Sequence, residues 1–115
     1  MSSKTRNSAL KLEKYAPLFA ALGDETRLSL VSKLSKDPGQ SISQLSEGAN
    51  ITRQAVTKHL KVLEEVGLVR SESQGRENIF ELDLRPFKNI NEYLDFVSTQ
   101  WDIALHSLKD FVEKD

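Results

Sequence analysis

"NITRQAVTKHLKVLEEVGLVR", residues Asn50 to Arg70, places three cations, Arg53, Lys58 and Lys61, in a short segment of a chain whose net charge is −1. Thr52 is a good N-cap for a helix over 52–66, and Ile51 with Val56 fall at the hydrophobic-staple positions around it. On a wheel of about 100° per residue, Arg53, Gln54, Thr57, Lys58 and Lys61 form one continuous polar arc. Val56, Leu60 and Leu63 lie opposite, and His59 sits at the edge of the apolar arc. Glu64 and Glu65 are held back to the C-terminal end. A face offering Arg, Gln, Thr and Lys at its N-terminal end suits both phosphates and base edges.

Outward from this helix the periods change. Upstream, Ala49-Asn50-Ile51 reads as a tight helix–helix turn, with Asn50 suited to a left-handed conformation. Before it, Ser43 is expected to cap a short helix carrying Leu45. Further upstream, "GDETRLSLVSKL" reads as a helix capped by Asp24, with Leu28, Val31 and Leu34 on its apolar side and Arg27 as a structural residue in its first turn. "KDPGQ" closes it. Ala9 to Leu22 form a first helix with Leu12, Tyr15, Ala16 and Phe19 at helical spacing, and Pro17 predicts a kink or restart.

Downstream of Gly67, "LVRSES" and "ENIFELD" have strand character, and "QGR" between them puts Gly75 in a turn and Arg76 near the tip of a hairpin. The last segment, 89–114, repeats Ile90, Leu94, Val97, Trp101, Leu105, Leu108 and Val112 at three- and four-residue spacing. Asn89 with Glu92 predicts a capping box at its start. So long an apolar stripe asks for more partner surface than the compact part of the chain supplies, and a second copy is the simplest source.

The 115 residues suit one domain, with hydrophobic content of 38% and charged content of 29%. Residues 1–8, "MSSKTRNS", read as a disordered arm and not a secretory signal, and 9–115 as the folded domain. There is no cysteine, which removes disulfides, thiol nucleophiles and thiolate metal sites. No apolar run approaches membrane-spanning length, so no membrane partner and a cytoplasmic location are expected. No nucleophile–base pair or phosphate loop suggests an enzyme, and no cofactor is expected.

The expected fold is mainly α with a small β-hairpin: a winged helix-turn-helix with N- and C-terminal dimerisation helices. "LFAALGDETRLSLVSKL", "ISQLSEGANITRQAVTKHLKVLEEVGLV" and "SQGRENIFELD" resemble the ArsR/SmtB family of bacterial transcriptional repressors from about Phe19 to Leu84. Within that resemblance Asn50 stands where a glycine is usual. The resemblance implies a homodimer that binds double-stranded operator DNA and blocks transcription until a signal releases it. The expected DNA-contacting residues are Thr52, Arg53, Gln54, Thr57, Lys58, His59, Lys61 and Arg76, with His59 open between a phosphate contact and a structural hydrogen bond at the helix edge. The expected dimer contacts are Leu12, Tyr15, Phe19, Leu94, Val97, Trp101, Leu105 and Leu108.

The C-terminal metal site of such relatives, aligned on His106, would fall on Tyr93, Asp95, His106 and Lys109. That donor set is incomplete. Asp102, His106 and Asp110 share a helical stripe but read as a solvated rim, so no metal is expected. The reading from another class is a winged-helix module that binds protein in place of DNA. Counterion release with random DNA separates the two.

Overall fold

The computed structural model describes residues 12–114. Helix α1 spans Leu12–Leu22, α2 Glu25–Lys36, strand β1 Gln40–Ser41, α3 Ile42–Ser46, α4 Arg53–Glu65, β2 Val69–Gln74, β3 Glu77–Leu82 and α5 Leu84–Lys114. The arm expected at 1–8 lies outside the described residues. The strands form one antiparallel sheet in the order β1-β3-β2.

The end of α4 explains why that helix runs straight into Gly-Leu-Val. Gly67 takes a φ of 83°, open to glycine without steric penalty. Its N–H donates to the Glu64 carbonyl and the Leu68 N–H to the Leu63 carbonyl, both at 3.0 Å. This is a Schellman closure, and it carries the hydrophobic contact that usually accompanies one, since Leu63 and Leu68 are both fully buried. Val69 then starts β2 in register with Leu82, and the ladder runs to Gln74 opposite Glu77, leaving Gly75-Arg76 as a two-residue hairpin loop.

The core gathers Leu18, Leu30, Leu34, Leu45, Val56, Leu60, Leu63, Leu68, Val69, Phe80 and Ile90. Ile51 packs at its edge. Thus α4 is pinned along its apolar side by α1, α2 and α3, and the opposite arc stays in solvent.

Several expectations need correction. On α2 the inward stripe is Leu30, Leu34 and half-buried Val31, joined by Arg27, while Leu28 remains 50% exposed. The i, i+3, i+4, i+7 face therefore begins at an arginine. The short helix is capped by Ser41 and not Ser43: Ser41 Oγ accepts from the Gln44 N–H at 3.2 Å, and Gln44 Oε1 accepts from the Ser41 N–H at 2.8 Å. In the turn before α4, Gly48 has a φ of 73°. Helix α1 continues through Pro17 without restarting, so the bond that residue would make to the Glu13 carbonyl is forgone.

The last helix starts at Leu84, not at Asn89. Asp83 precedes it, and Asp83 Oδ1 accepts from the Arg85 N–H at 3.1 Å. The Arg85 guanidinium closes on the same carboxylate, which holds the Asp83 carboxyl down at about 2. Pro86 falls in the first turn, where a missing N–H leaves no helical bond unmade. Among the described residues no helix is long and apolar enough to cross a membrane.

Candidate nucleic-acid interface

Thr52 supplies the N-cap of α4, its Oγ1 accepting from the Ala55 N–H at 3.1 Å. The cap fixes where the first turn begins, and with it the direction of every side chain on the arc. Thr52→Ala should lower unfolding free energy by about 1 kcal/mol, read as a reduced urea midpoint at constant slope. An unchanged midpoint would mean that water replaces the cap at no cost.

Arg53, Gln54, Thr57, Lys58 and Lys61 are all exposed, as the wheel requires, while Val56, Leu60 and Leu63 are buried. Thr57 donates its hydroxyl proton to the Arg53 carbonyl at 2.9 Å. Its methyl group and the two lone pairs on its oxygen are therefore what it offers to a neighbour. The acids Glu64 and Glu65 stand at the far end of the helix, and Glu64 Oε2 accepts from Ser71 Oγ at 3.0 Å, tying the helix end to β2.

Arg76, at the hairpin tip, borders a cleft of about 180 Å³ together with Arg53, Ser41, Ile42, Ser43, Glu77 and Asn78. The wing tip and the N-terminal end of α4 thus face one hollow, which two separate sequence motifs did not reveal. Strand β1 explains the juxtaposition. Its two residues pair with Phe80 and Ile79 of β3, so the root of the hairpin is hydrogen-bonded to the segment that caps α3.

His59 is the residue that departs most from the arc. It is part-buried, and its Nδ1 accepts from Arg27 Nη1 at 3.1 Å. Arg27 also donates from Nε to the Ala21 carbonyl, so α1, α2 and α4 meet at this guanidinium. Asp24 caps α2 through the Arg27 N–H at 3.0 Å, a bond that lowers the Asp24 carboxyl below its ordinary range. Sequence reasoning placed Arg27 as structural but missed that it holds His59. The inward phase of position 27 on α2 was the available signal.

The C-terminal face divides in two. Tyr15 is buried within the protomer, its ring 5.3 Å from that of Tyr93, and Phe19 meets the same ring at 5.5 Å. Tyr93 therefore covers most of Tyr15 within the protomer. Leu12, Leu94, Trp101, Leu105 and Leu108 remain 60, 47, 63, 55 and 59% exposed, and Val97 is half-buried. An apolar groove of about 280 Å³ between α1 and α5 is lined by Leu12, Tyr15, Ala16, Phe19, Tyr93 and Leu94. Asp102, His106 and Asp110 border a shallow depression, and among the described residues no group of three or more His, Asp or Glu side chains is spaced to hold a metal ion.

A family model described as a helix-turn-helix domain matches residues 22–72. The HTH-type transcriptional regulator YuzN of Bacillus subtilis (strain 168) is 37% identical over 79 residues, spanning 64% of this chain and 86% of that protein. The arsenical resistance operon repressor of the same organism is 29% identical over 72 residues, or 63% of this chain and 69% of that protein. Among solved structures, an ArsR-like transcriptional regulator from Rhodococcus sp. RHA1 superposes with a TM-score of 0.72 at 33% identity, covering 87% of this chain and 93% of that one.

Proposed function

The chain belongs to the ArsR family of winged helix-turn-helix transcriptional regulators, and from that premise we propose that it binds operator DNA as a homodimer and represses transcription. The observation that carries this reading is the exposed arc of Arg53, Gln54, Thr57, Lys58 and Lys61 on a helix pinned along its opposite side, with Arg76 across the cleft from Arg53. The fit to repression comes from the similarity to an operon repressor.

In this reading α4 enters the major groove N-terminus first, as the second helix of such a motif does. Gln54 and Thr57 read base edges. Lys58, Lys61, Arg53 and Thr52 hold the backbone, and Arg76 reaches the minor groove or its phosphates. His59 serves from inside the protomer. The exposed row Leu12, Leu94, Val97, Trp101, Leu105 and Leu108, with Phe19 in the floor of the groove, takes the second copy. Two-fold pairing sets two α4 helices on one side of the duplex, with half-sites about 34–36 Å apart or a multiple of that. The chain works in the cytoplasm and carries no catalytic step.

The test is discrimination. Gln54→Ala and Thr57→Ala should each reduce the preference for operator over random DNA by about 1–3 kcal/mol, the scale of one good base contact. Titrations of both duplexes at one salt concentration measure it. Equal weakening of the two would take base reading away from this face.

A further inference from the structure

Arg27 lies outside the solvent-facing arc of α4, yet it grips that helix at His59. An arginine side chain has only donors and stays charged. In a hydrogen bond from Arg27 at 3.1 Å, His59 Nδ1 is the acceptor, which corresponds to the tautomer with its proton on Nε2. The same Nδ1 stands 3.8 Å from Asp24 Oδ2, the oxygen that caps α2. Of the elements packed on α4, α2 and its cap present Asp24 and Arg27 to the ring, and α3 has no charged residue. α1 carries Glu13 and Lys14, and β2 carries Glu72 and Arg70, the latter paired with Glu81 at 2.9 Å. On α4 itself the neighbours are Lys58 and Lys61.

We propose that the Asp24–Arg27–His59 cluster positions the recognition helix through a proton-sensitive hydrogen bond. Uptake of one proton from solvent at Nδ1 turns that acceptor into a donor. The bond from Arg27 is lost, two cations then face each other, and the new N–H is drawn to Asp24 Oδ2. Asp24 must then divide itself between the ring and the cap of α2. The junction between α2 and α4 loosens, while the added positive charge leaves the attraction to phosphate in place. Arg27 and Asp24 are positioning residues here, since they reach DNA only through His59. The inference rests on the reading of α4 as the DNA-contacting helix.

Histidine is the side chain whose charge ordinarily changes between pH 5 and 8, and the chain has two, His59 and His106. Affinities for a specific and a random duplex are to be measured from about pH 8 to about pH 5.5 at fixed ionic strength. The proteins are the wild type, His59→Asn and His106→Gln. Asparagine sets a carbonyl oxygen near the place of Nδ1 and accepts from Arg27 at every pH. The specific-to-random ratio of the wild type should fall about three- to tenfold on acidification, the scale of one net hydrogen bond. His106→Gln should follow it, and His59→Asn should stay flat.

A flat wild-type profile, or a wild-type slope retained in His59→Asn, overturns the proposal. Should His59→Asn fail to fold, long-range nitrogen–proton spectra of the free wild-type protein decide the matter. An Nε2–H tautomer for His59 near pH 8 that converts to the doubly protonated ring on acidification supports it, and an Nδ1–H tautomer overturns it. Failure to bind any duplex at any pH would remove the DNA reading itself, an outcome distinct from binding with a flat profile.

Discussion

Changing Trp101 and Leu105 to Asp together should yield a monomer and lower operator affinity by about two to four orders of magnitude. The two side chains lie one turn apart on α5 and are 63% and 55% exposed, in line with Leu94, Leu108 and Val112. Covering such side chains stabilises by about 1.5–3 kcal/mol each, so two carboxylates in their place remove several favourable contacts and add like-charge repulsion across the two-fold axis. The protomer's shape argues the same way. A compact domain of this length would have a radius of gyration of about 13 Å, against the observed 19.2 Å. The excess comes from the C-terminal part of α5, which projects beyond the core after its first turns have packed through Phe87, Ile90 and Tyr93. Once the pair is broken, each half-site must be engaged independently and the second binding event is no longer intramolecular. Sedimentation at micromolar concentration, with operator titration alongside, measures both effects. A wild-type protein that stays monomeric and still protects a two-fold site would sink the dimer.

The second large effect is electrostatic. Lys61 and Arg76 are exposed, one on α4 and one at the hairpin tip, and neither has an ion-pair partner among the described residues. If each subunit neutralises about three phosphates, the dimer's log–log salt slope is about −5. Lys61→Ala with Arg76→Ala removes four contacts per dimer and should flatten that slope by roughly 3.5, with a loss of affinity of about a thousandfold at 0.1 M salt. Operator and random duplexes should suffer alike, because phosphates carry no sequence. An unchanged slope would set both residues outside the interface. A flat slope in the wild type itself would favour the protein-binding module over a DNA reader.

Much of this was legible where local chemistry and tertiary packing agree. Thr52, the apolar set Val56, Leu60 and Leu63, Gly67 and the Gly75 hairpin all announce themselves by type and spacing, and each sits where its spacing places it. The misses share a physical cause. Ser41 and Asp83 outcompeted Ser43 and Asn89 as helix starts because caps are decided by which backbone donors tertiary packing leaves open. The signature Asp83-x-x-Pro86 was present but weaker than the apolar repeat that began later. β1 has only two residues, too few to show a period, and it exists because β3 offers an edge. The Asp24–Arg27–His59 link includes the bond from Arg27 to His59, 32 residues apart, which no periodicity within one helix encodes.

The far end of α5 has one consequence for abundance. From Trp101 to Glu113 every side chain is exposed in the single protomer. A helical segment of that length is marginal in water when nothing packs on it, because nucleation is costly and a dozen residues barely repay it. With a second copy as the proposed partner, the order of that segment follows mass action. Its fraying is suppressed as protomers accumulate and returns as they are diluted. The chain then acts as its own ligand, and the number of copies in a cell becomes a control on how much of the pool is fit to hold an operator.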